Sequence, residues 1–260
     1  MNPQGSSQEE ATQDETELPG GNSTIVTRRG DTVRREAGPW TPAVHRLLSR
    51  LRDAGLSETP VPLGLDEQGR EVLSYLPGVV GHYPLPDWLW EPRILREAGA
   101  LLRRVHDASV PLLEEMRDEP VLWQSPVHEP VEVICHNDVA SYNMVFQDGH
   151  LVGLIDFDTA SPGPRLWDLA YLAYRLVPWV EDAGPAAPSA GQRMARLNEL
   201  LNSYGVPYER DDVLRMMALR LDDLARFTDG RAAATGRPEF LDHALIYRRD
   251  RSAILHQLGA

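Results

Sequence analysis

The chain has 260 residues, 42% of them hydrophobic, and a formal net charge of −13 from 39 acidic and 26 basic residues. An acidic surface disfavours nucleic acids and anionic membranes, because both bind basic surfaces, and it suits a cationic small molecule. Every basic residue is an arginine. The lack of lysine excludes a lysine Schiff base, a lysine nucleophile and the lysine-containing P-loop.

The sequence also bears on where the protein works. No stretch approaches the roughly 18 consecutive apolar residues of a membrane span. The N-terminal sequence "MNPQGSSQEEATQDETE" lacks the basic and then apolar order of a secretory signal. Cys135 is the single cysteine, so the chain cannot form an internal disulfide. We therefore expect a cytoplasmic protein with no nucleic-acid or membrane partner.

The N-terminal part predicts a small sheet with one helix. Residues 1–17 contain five acids and no base, and we expect a disordered acidic tail there. After it, "STIVTRR", a "GD" turn and "TVRRE" predict two paired strands, and "VPLGLDEQGREVLSYLPG" predicts two more. Between the pairs, "TPAVHRLLSRLRDAG" predicts a helix with Thr41 as N-cap and Pro42 as its first residue. Residues 18–77 would thus form an N-lobe.

Residues 78–260 predict a larger, mainly helical C-lobe. Apolar residues recur at helical spacing in "PRILREAGALLRRVHDAS", in "SPGPRLWDLAYLAYRLV" from about Arg165, and in "VLRMMALRLDDLARFTDG" with Gly230 as its stop. A last amphipathic helix is predicted by "PEFLDHALIYRRDRSAILHQL". The composition of "EDAGPAAPSAG" predicts a loop.

A short run of strands interrupts these helices and carries the chemistry. "VEVIC", "MVF" and "HLVGLI" predict strands, with the loop "HNDVASYN" after the first and "DFD" after the last. A hairpin at "QDG" brings Asp138 and Asn143 close to Asp156. Carboxylate and amide oxygens suit Mg²⁺, and a carboxylate also accepts a proton from a hydroxyl. The alternative is that Asp138 and Asn143 are ordinary loop residues that cap their own backbone.

The pattern "HND…N…IDFD" resembles the aminoglycoside phosphotransferase family more than the protein kinases. "ALLRRVHDAS", "REVLSYLPG" and "PGPRLWDLAYL" also resemble segments of that family. The resemblance implies a two-lobed, protein-kinase-like α+β fold. It further implies transfer of the γ-phosphoryl group of ATP or GTP, with Mg²⁺, to a hydroxyl of a small cationic molecule such as an aminoglycoside-type antibiotic.

Carried over residue by residue, the resemblance implies a set of roles. Asp138 would be the catalytic base, and Asn143 and Asp156 would hold Mg²⁺. His136 and Asp168 would support the loop; for Asp168 a charge at a helix N-terminus is the alternative. The nucleotide-binding residues would be a turn over the phosphates, a phosphate-binding arginine and the backbone beside the adenine: Gly20, Gly21, Asn22, Ser23, Arg34, Arg35, Ser74, Tyr75 and Leu76.

The sequence departs from the family pattern at the phosphate-binding lysine. The family pairs that strand lysine with a helix glutamate, but here Arg34 or Arg35 would supply the charge, with a slight preference for Arg34. The next helix carries His45 near the place of the glutamate. Two alternatives stay open: a pseudokinase-like nucleotide-binding module without turnover, and a kinase of a metabolite alcohol, sugar or amine.

Overall fold

The computed structural model describes residues 15–18, 25–180 and 183–259. An antiparallel sheet occupies the N-terminal part, with the strand order β1-β2-β3-β5-β4. Its strands are β1 (Thr16–Glu17), β2 (Thr27–Arg29), β3 (Thr32–Arg35), β4 (Pro62–Leu65) and β5 (Glu71–Ser74). Helix α1 (Thr41–Asp53) crosses between β3 and β4 and buries the apolar stripe Val44, Leu47, Leu48 and Leu51.

Two details of this part differ from the prediction. Glu17 and Thr16 form β1, so the prediction of a disordered tail is wrong at its C-terminal end; residues 1–14 lie outside the described residues. Glu15 helps to hold this strand, because its carboxylate accepts hydrogen bonds from Arg70 at 2.9 and 3.0 Å. Thr41 is the first helical residue rather than the N-cap, and its hydroxyl accepts a hydrogen bond from the Gly38 N–H.

The C-terminal part contains five α-helices within the described ranges: α2 (Pro92–Met116), α3 (Arg165–Leu176), α4 (Arg193–Tyr204), α5 (Arg210–Thr235) and α6 (Glu239–Gln257). The sequence reasoning missed α4. It also placed the end of α5 wrongly, because the helix continues through Gly230 to Thr235. Gly236 then caps the helix in the left-handed conformation, with φ of 68°. Packing against α6 outweighs the ~1 kcal/mol that a glycine costs inside a helix. No helix in the described ranges is long and apolar enough to cross a membrane.

Two small antiparallel sheets carry the catalytic candidates. One has the order β6-β8-β9, from β6 (Val79–Val80), β8 (Met144–Gln147) and β9 (His150–Leu154). The other pairs β7 (Val133–Cys135) with β10 (Ser161–Gly163). Asp148 and Gly149 turn the β8–β9 hairpin with φ of 51° and 75°, as a tight hairpin requires. The hairpin returns the chain so that the Ile155 N–H donates to the Asn143 carbonyl at 2.9 Å.

Candidate active site

Asp138 lies on the loop between β7 and β8, partly exposed, and two side chains hold its carboxylate. The Tyr142 hydroxyl donates to Oδ1 at 2.7 Å, and the Asn143 amide donates to Oδ2 at 3.0 Å and to the Asp138 carbonyl at 2.9 Å. Both carboxylate oxygens thus have a fixed direction while the group keeps access to solvent. A carboxylate held in this way can orient a hydroxyl and accept its proton.

The end of β9 brings Asp156 close to Asn143, because the Ile155 N–H donates to the Asn143 carbonyl. The Asn143 amide nitrogen is occupied by Asp138, and its oxygen accepts no hydrogen bond from the described residues. The Asp156 side chain is 49% exposed, and its backbone adopts the left-handed conformation with φ of 64°. That conformation is costly for a residue other than glycine and is typical of functional positions. The half-exposed Asp156 carboxylate and the amide oxygen of the buried Asn143 fit a hard cation such as Mg²⁺.

Asp168 braces the loop from the first turn of α3. Its buried carboxylate accepts backbone hydrogen bonds from His136 at 2.6 Å and Asn137 at 2.8 Å, and contacts the His106 ring at 3.1 Å. Burial acts to raise the pKa of Asp168, but the hydrogen bond from His106 and the nearby backbone donors hold the pKa below its usual value. Asp168 is therefore an anion that fixes the backbone just before Asp138.

His136 and Asn137 face the inside of the loop. His136 Nε2 donates to the Ile155 carbonyl at 2.9 Å and its Nδ1 accepts from the Asp138 N–H, which ties the loop to the end of β9. Asn137 has φ of 68°, a conformation that asparagine tolerates better than most residues. Its amide donates to the Thr159 carbonyl at 2.7 Å, so this position also ties the two segments together.

Sequence reasoning missed two buried supports of this loop. His106 on α2 connects the Tyr204 hydroxyl, at 2.7 Å, to Asp168; its signal was the segment "ALLRRVHDAS", which resembles a segment of the aminoglycoside phosphotransferase family. Arg220 on α5 donates to the Asn137 carbonyl, and nothing in its sequence context indicated this role. His106, Asp168 and the buried thiol of Cys135 have potential metal-ligand atoms within 4.8 Å of one another. The hydrogen bonds already made by His106 and Asp168 explain that cluster as a structural brace.

Arg35, at the end of β3, points into the site. Its Nη1 lies 2.7 Å from Asp156 Oδ1, its Nη2 lies 2.5 Å from Asp158 Oδ1, and its Nε donates to Glu71. Burial alone would lower the pKa of the guanidinium, but the surrounding carboxylates raise it, so Arg35 stays charged. Burial raises the pKa of Asp158 to about 6 against the opposing effect of Arg35.

Glu71 supplies the acidic partner that the sequence lacked on α1. It stands opposite Arg35 in the β3–β5 pairing, so the two side chains share a face of the sheet. His45 of α1 lies 2.9 Å from the other oxygen of Glu71. Burial would raise the pKa of Glu71, but His45 and Arg35 keep it below its ordinary value. The partner of the arginine therefore comes from the neighbouring strand, and the helix adds a histidine.

The strand brings Arg35, and not the predicted Arg34, into contact with Asp156. Arg34 donates to the Thr32 hydroxyl at 2.7 Å and lies 3.8 Å from Asp66 and 4.0 Å from Glu15. Successive strand residues point to opposite faces, so only one of the two arginines can point toward Asp156. The register of β3 places Arg35 there.

The other predicted nucleotide-binding residues are only partly described. Gly20, Gly21, Asn22 and Ser23 lie outside the described residues. The Ser74 N–H donates to the Val61 carbonyl and the Tyr75 N–H to the Asp31 carbonyl, so both donors are occupied. The Leu76 N–H has no hydrogen-bond partner among the residues that the structure describes.

Tyrosine rings and Arg175 line the other side of Asp138. The Tyr142 hydroxyl lies 3.0 Å from the Tyr171 hydroxyl, and burial raises the pKa of both phenols. Arg175, one turn after Tyr171 on α3, lies 5.3 Å from the Tyr142 ring and donates to the Tyr83 hydroxyl at 2.5 Å. Near Asp138, this side therefore presents uncharged phenols and the positive charge of Arg175.

Comparisons with known proteins identify the family of the chain. The family model described as the phosphotransferase enzyme family matches residues 112–210, which include the loop, the hairpin and Asp168. The trifolitoxin immunity protein of Rhizobium leguminosarum bv. trifolii is 35% identical over 202 residues, which cover 74% of this chain and 75% of that protein. The chain belongs to the phosphotransferase enzyme family.

Solved structures with the same fold include two kinds of small-molecule kinase. A choline/ethanolamine kinase family protein from Mesorhizobium loti is 19% identical, covers 94% of this chain and 88% of its own, and has a TM-score of 0.64. The GDP complex of aminoglycoside 2'-phosphotransferase-IIIa is 15% identical, covers 93% of each chain and has a TM-score of 0.63. The predicted two-lobed, protein-kinase-like α+β fold is thus confirmed for this family member.

Proposed function

We propose that this phosphotransferase family member moves the γ-phosphoryl group of ATP or GTP to a hydroxyl of a small molecule. The observation that carries the proposal is the Asp138 carboxylate, held by Tyr142 and Asn143 beside the Asn143–Asp156 oxygen pair. Asp138 accepts the proton of the acceptor hydroxyl while the oxygen forms its bond to phosphorus and the nucleoside diphosphate leaves.

The remaining residues position and neutralise the phosphates. Asn143 and Asp156 would hold Mg²⁺, which supplies charge neutralisation on the phosphate oxygens. Arg35 takes the place of the absent lysine, because its guanidinium already faces Asp156 and is anchored by Glu71. A guanidinium offers phosphate two parallel hydrogen bonds. The Leu76 backbone would complete the proposed nucleotide site together with Gly20, Gly21, Asn22 and Ser23, which lie outside the described residues.

For the acceptor, the relative's name supports a toxin or antibiotic. That relative is called a trifolitoxin immunity protein, and phosphorylation of a toxin hydroxyl is one chemical route to immunity. A cationic antibiotic, as the net charge suggests, and a metabolite alcohol, sugar or amine are the other acceptor classes.

The test uses the purified full chain with Mg²⁺ and either ATP or GTP. An aminoglycoside, an amino alcohol and a sugar serve as acceptors, and mass spectrometry detects the added phosphoryl group. We expect Asp138→Asn to lower turnover at least about a hundredfold. Asp148→Asn, at the exposed far end of the same hairpin, is the matched control and should retain full activity.

Two results contradict the proposal. Equal turnover in the wild type and in Asp138→Asn would show that Asp138 does not act as the catalytic base. Nucleotide binding without transfer to any acceptor would favour the pseudokinase-like alternative.

A further inference from the structure

We propose that the acceptor carries a carboxylate near its reacting hydroxyl and that Arg175 binds this carboxylate. The inference rests on the proposed function for the position of the reacting hydroxyl, at Asp138. It names a substrate class, hydroxy acids, and a specificity-determining residue.

Arg175 lies one tyrosine ring away from the base. Tyr142 donates its hydroxyl to Asp138 at 2.7 Å, and the Arg175 guanidinium carbon lies 5.3 Å from the centre of the same ring. A small molecule whose hydroxyl meets Asp138 therefore extends along Tyr142 toward Arg175.

The charge of Arg175 has no carboxylate partner within salt-bridge distance among the described residues. Its guanidinium has five N–H donors, and the hydrogen bond observed is the one to Tyr83. Arginines on the neighbouring helices are different: Arg226 pairs with Asp222, and Arg248 pairs with Asp229. A half-buried cation without a counter-ion is costly, and an anionic ligand would offset that cost.

The tyrosines around Arg175 do not offer a cation site. Their rings are within reach of the Arg175 guanidinium itself, at 5.5 Å for Tyr83, 6.0 Å for Tyr171 and 5.8 Å for Tyr174. Aromatic faces that could hold a quaternary ammonium are thus already occupied by an arginine. The phenols of Tyr142 and Tyr171 are neutral, because burial raises the pKa of each. A cationic acceptor would therefore meet repulsion from Arg175 on this side of Asp138.

The guanidinium and the rings together define the ligand. A carboxylate accepts two parallel hydrogen bonds from a guanidinium, and a planar or apolar body packs on phenol rings. Tyr83 is 49% exposed, so the ligand can enter beside it.

Three probes that share a benzyl group and a hydroxyl test the inference: 3-phenyllactate, its neutral amide and the cationic phenylalaninol. Calorimetry measures their binding to the full chain with Mg²⁺ and a non-hydrolysable ATP analogue. We expect phenyllactate to bind at least about tenfold more tightly than the amide, with phenylalaninol weakest. Arg175→Gln should abolish the preference, and Arg175→Lys should keep part of it. Arg117→Gln, which removes an exposed arginine at the end of α2, should leave the order unchanged.

Equal binding, a reversed order or no binding of the three probes by the wild type would overturn the inference without any variant. A preference that persists in folded Arg175→Gln would overturn it as well. The binding measurement needs no turnover, so a failure of this inference can be distinguished from a failure of the proposed function. Loss of phosphoryl transfer in Asp138→Asn with phenyllactate still bound concerns the base, whereas loss of carboxylate selectivity concerns Arg175.

Discussion

The two sides of Asp138 each contain an arginine, but in opposite surroundings. On the phosphate side, carboxylates enclose Arg35: Glu71 in the sheet, and Asp156 and Asp158 after β9. On the acceptor side, tyrosine rings surround Arg175, and its observed hydrogen bond goes to a phenol. Both arginines are charged, but carboxylates balance the charge of Arg35, whereas Arg175 has no carboxylate within salt-bridge distance among the described residues. The difference indicates which part of the site the protein completes itself and which part a ligand completes.

On the phosphate side, Arg35 is held by Glu71, which lies opposite it on the neighbouring strand of the sheet. Arg35 is 7% exposed and Glu71 is 1% exposed, so separating this pair would leave a buried charge without a partner. Breaking one partner of such a pair typically costs about 3–5 kcal/mol. The buried Arg35–Glu71 pair therefore holds this side of the site in place through contacts within the protein.

The largest change is expected from substituting Arg35. Arg35→Ala should lower kcat/KM for the nucleotide about 10²–10³-fold, because it removes a preorganised cation at the phosphates. Arg35→Lys should recover only part of this loss, since one ammonium cannot reach Glu71, Asp156 and Asp158 together. Steady-state kinetics with varied nucleotide measures both. Near-normal kcat/KM in Arg35→Ala would show that the phosphates are bound elsewhere.

Asp168 holds the loop backbone just before Asp138, between the two sides of the site. Its loss should therefore lower the stability of the fold. Its folded-state pKa lies below that of the unfolded carboxyl, so its contribution is present above about pH 4 and is lost as the pH falls through the folded pKa. Asp168→Asn should lower the free energy of unfolding by about 3 kcal/mol at pH 7, and by less in acid. Urea unfolding at both pH values measures this.

Asp212→Asn is the control for Asp168. Asp212 forms an exposed ion pair with Arg215, which is worth at most about 0.5 kcal/mol. A loss in Asp168→Asn that stays constant down to acid pH would contradict the role of the ionised carboxylate.

How well the sequence predicts a part of the site depends on how far apart along the chain the contacting residues are. Asp138 and Asn143 come together within one short loop, and a two-residue turn brings Asp156 to them, so their spacing was informative. Arg35 depends on strand register, in which a shift of one residue turns a side chain to the other face. A charged pair "RR" carries no signal that distinguishes its two members.

Long-range supports were less predictable for the same reason. Glu71 reaches Arg35 through pairing of strands separated by a helix, and Arg220 reaches the Asn137 carbonyl from α5. Gly230 predicts a helix end, because a glycine inside a helix lowers helix stability by about 1 kcal/mol. Packing of α5 on α6, which no local pattern displays, outweighed that cost.

On the acceptor side, Tyr142→Phe should have a moderate effect. It removes one of the two donors that orient the Asp138 carboxylate, so kcat should fall about tenfold while KM for the nucleotide stays unchanged. Tyr171→Phe is the control, because Tyr171 contacts the Tyr142 hydroxyl rather than Asp138. An equal loss in both variants, or a raised nucleotide KM, would show that the two sides are not independent.

The smallest effect is expected for Arg34, and it sharpens the contrast with Arg35 on the same strand. Arg34 contacts Thr32, and its nearest acids, Asp66 and Glu15, lie at 3.8–4.0 Å, which is typical of ion pairs worth little. Arg34→Ala should therefore change kcat/KM less than about threefold and unfolding by at most about 0.5 kcal/mol. If Arg34→Ala instead matched Arg35→Ala in kinetics, the phosphates would be reached from the other face of the sheet. Since one strand cannot present both side chains to one face, a large kinetic effect in only one of the two variants assigns the cation that replaces lysine.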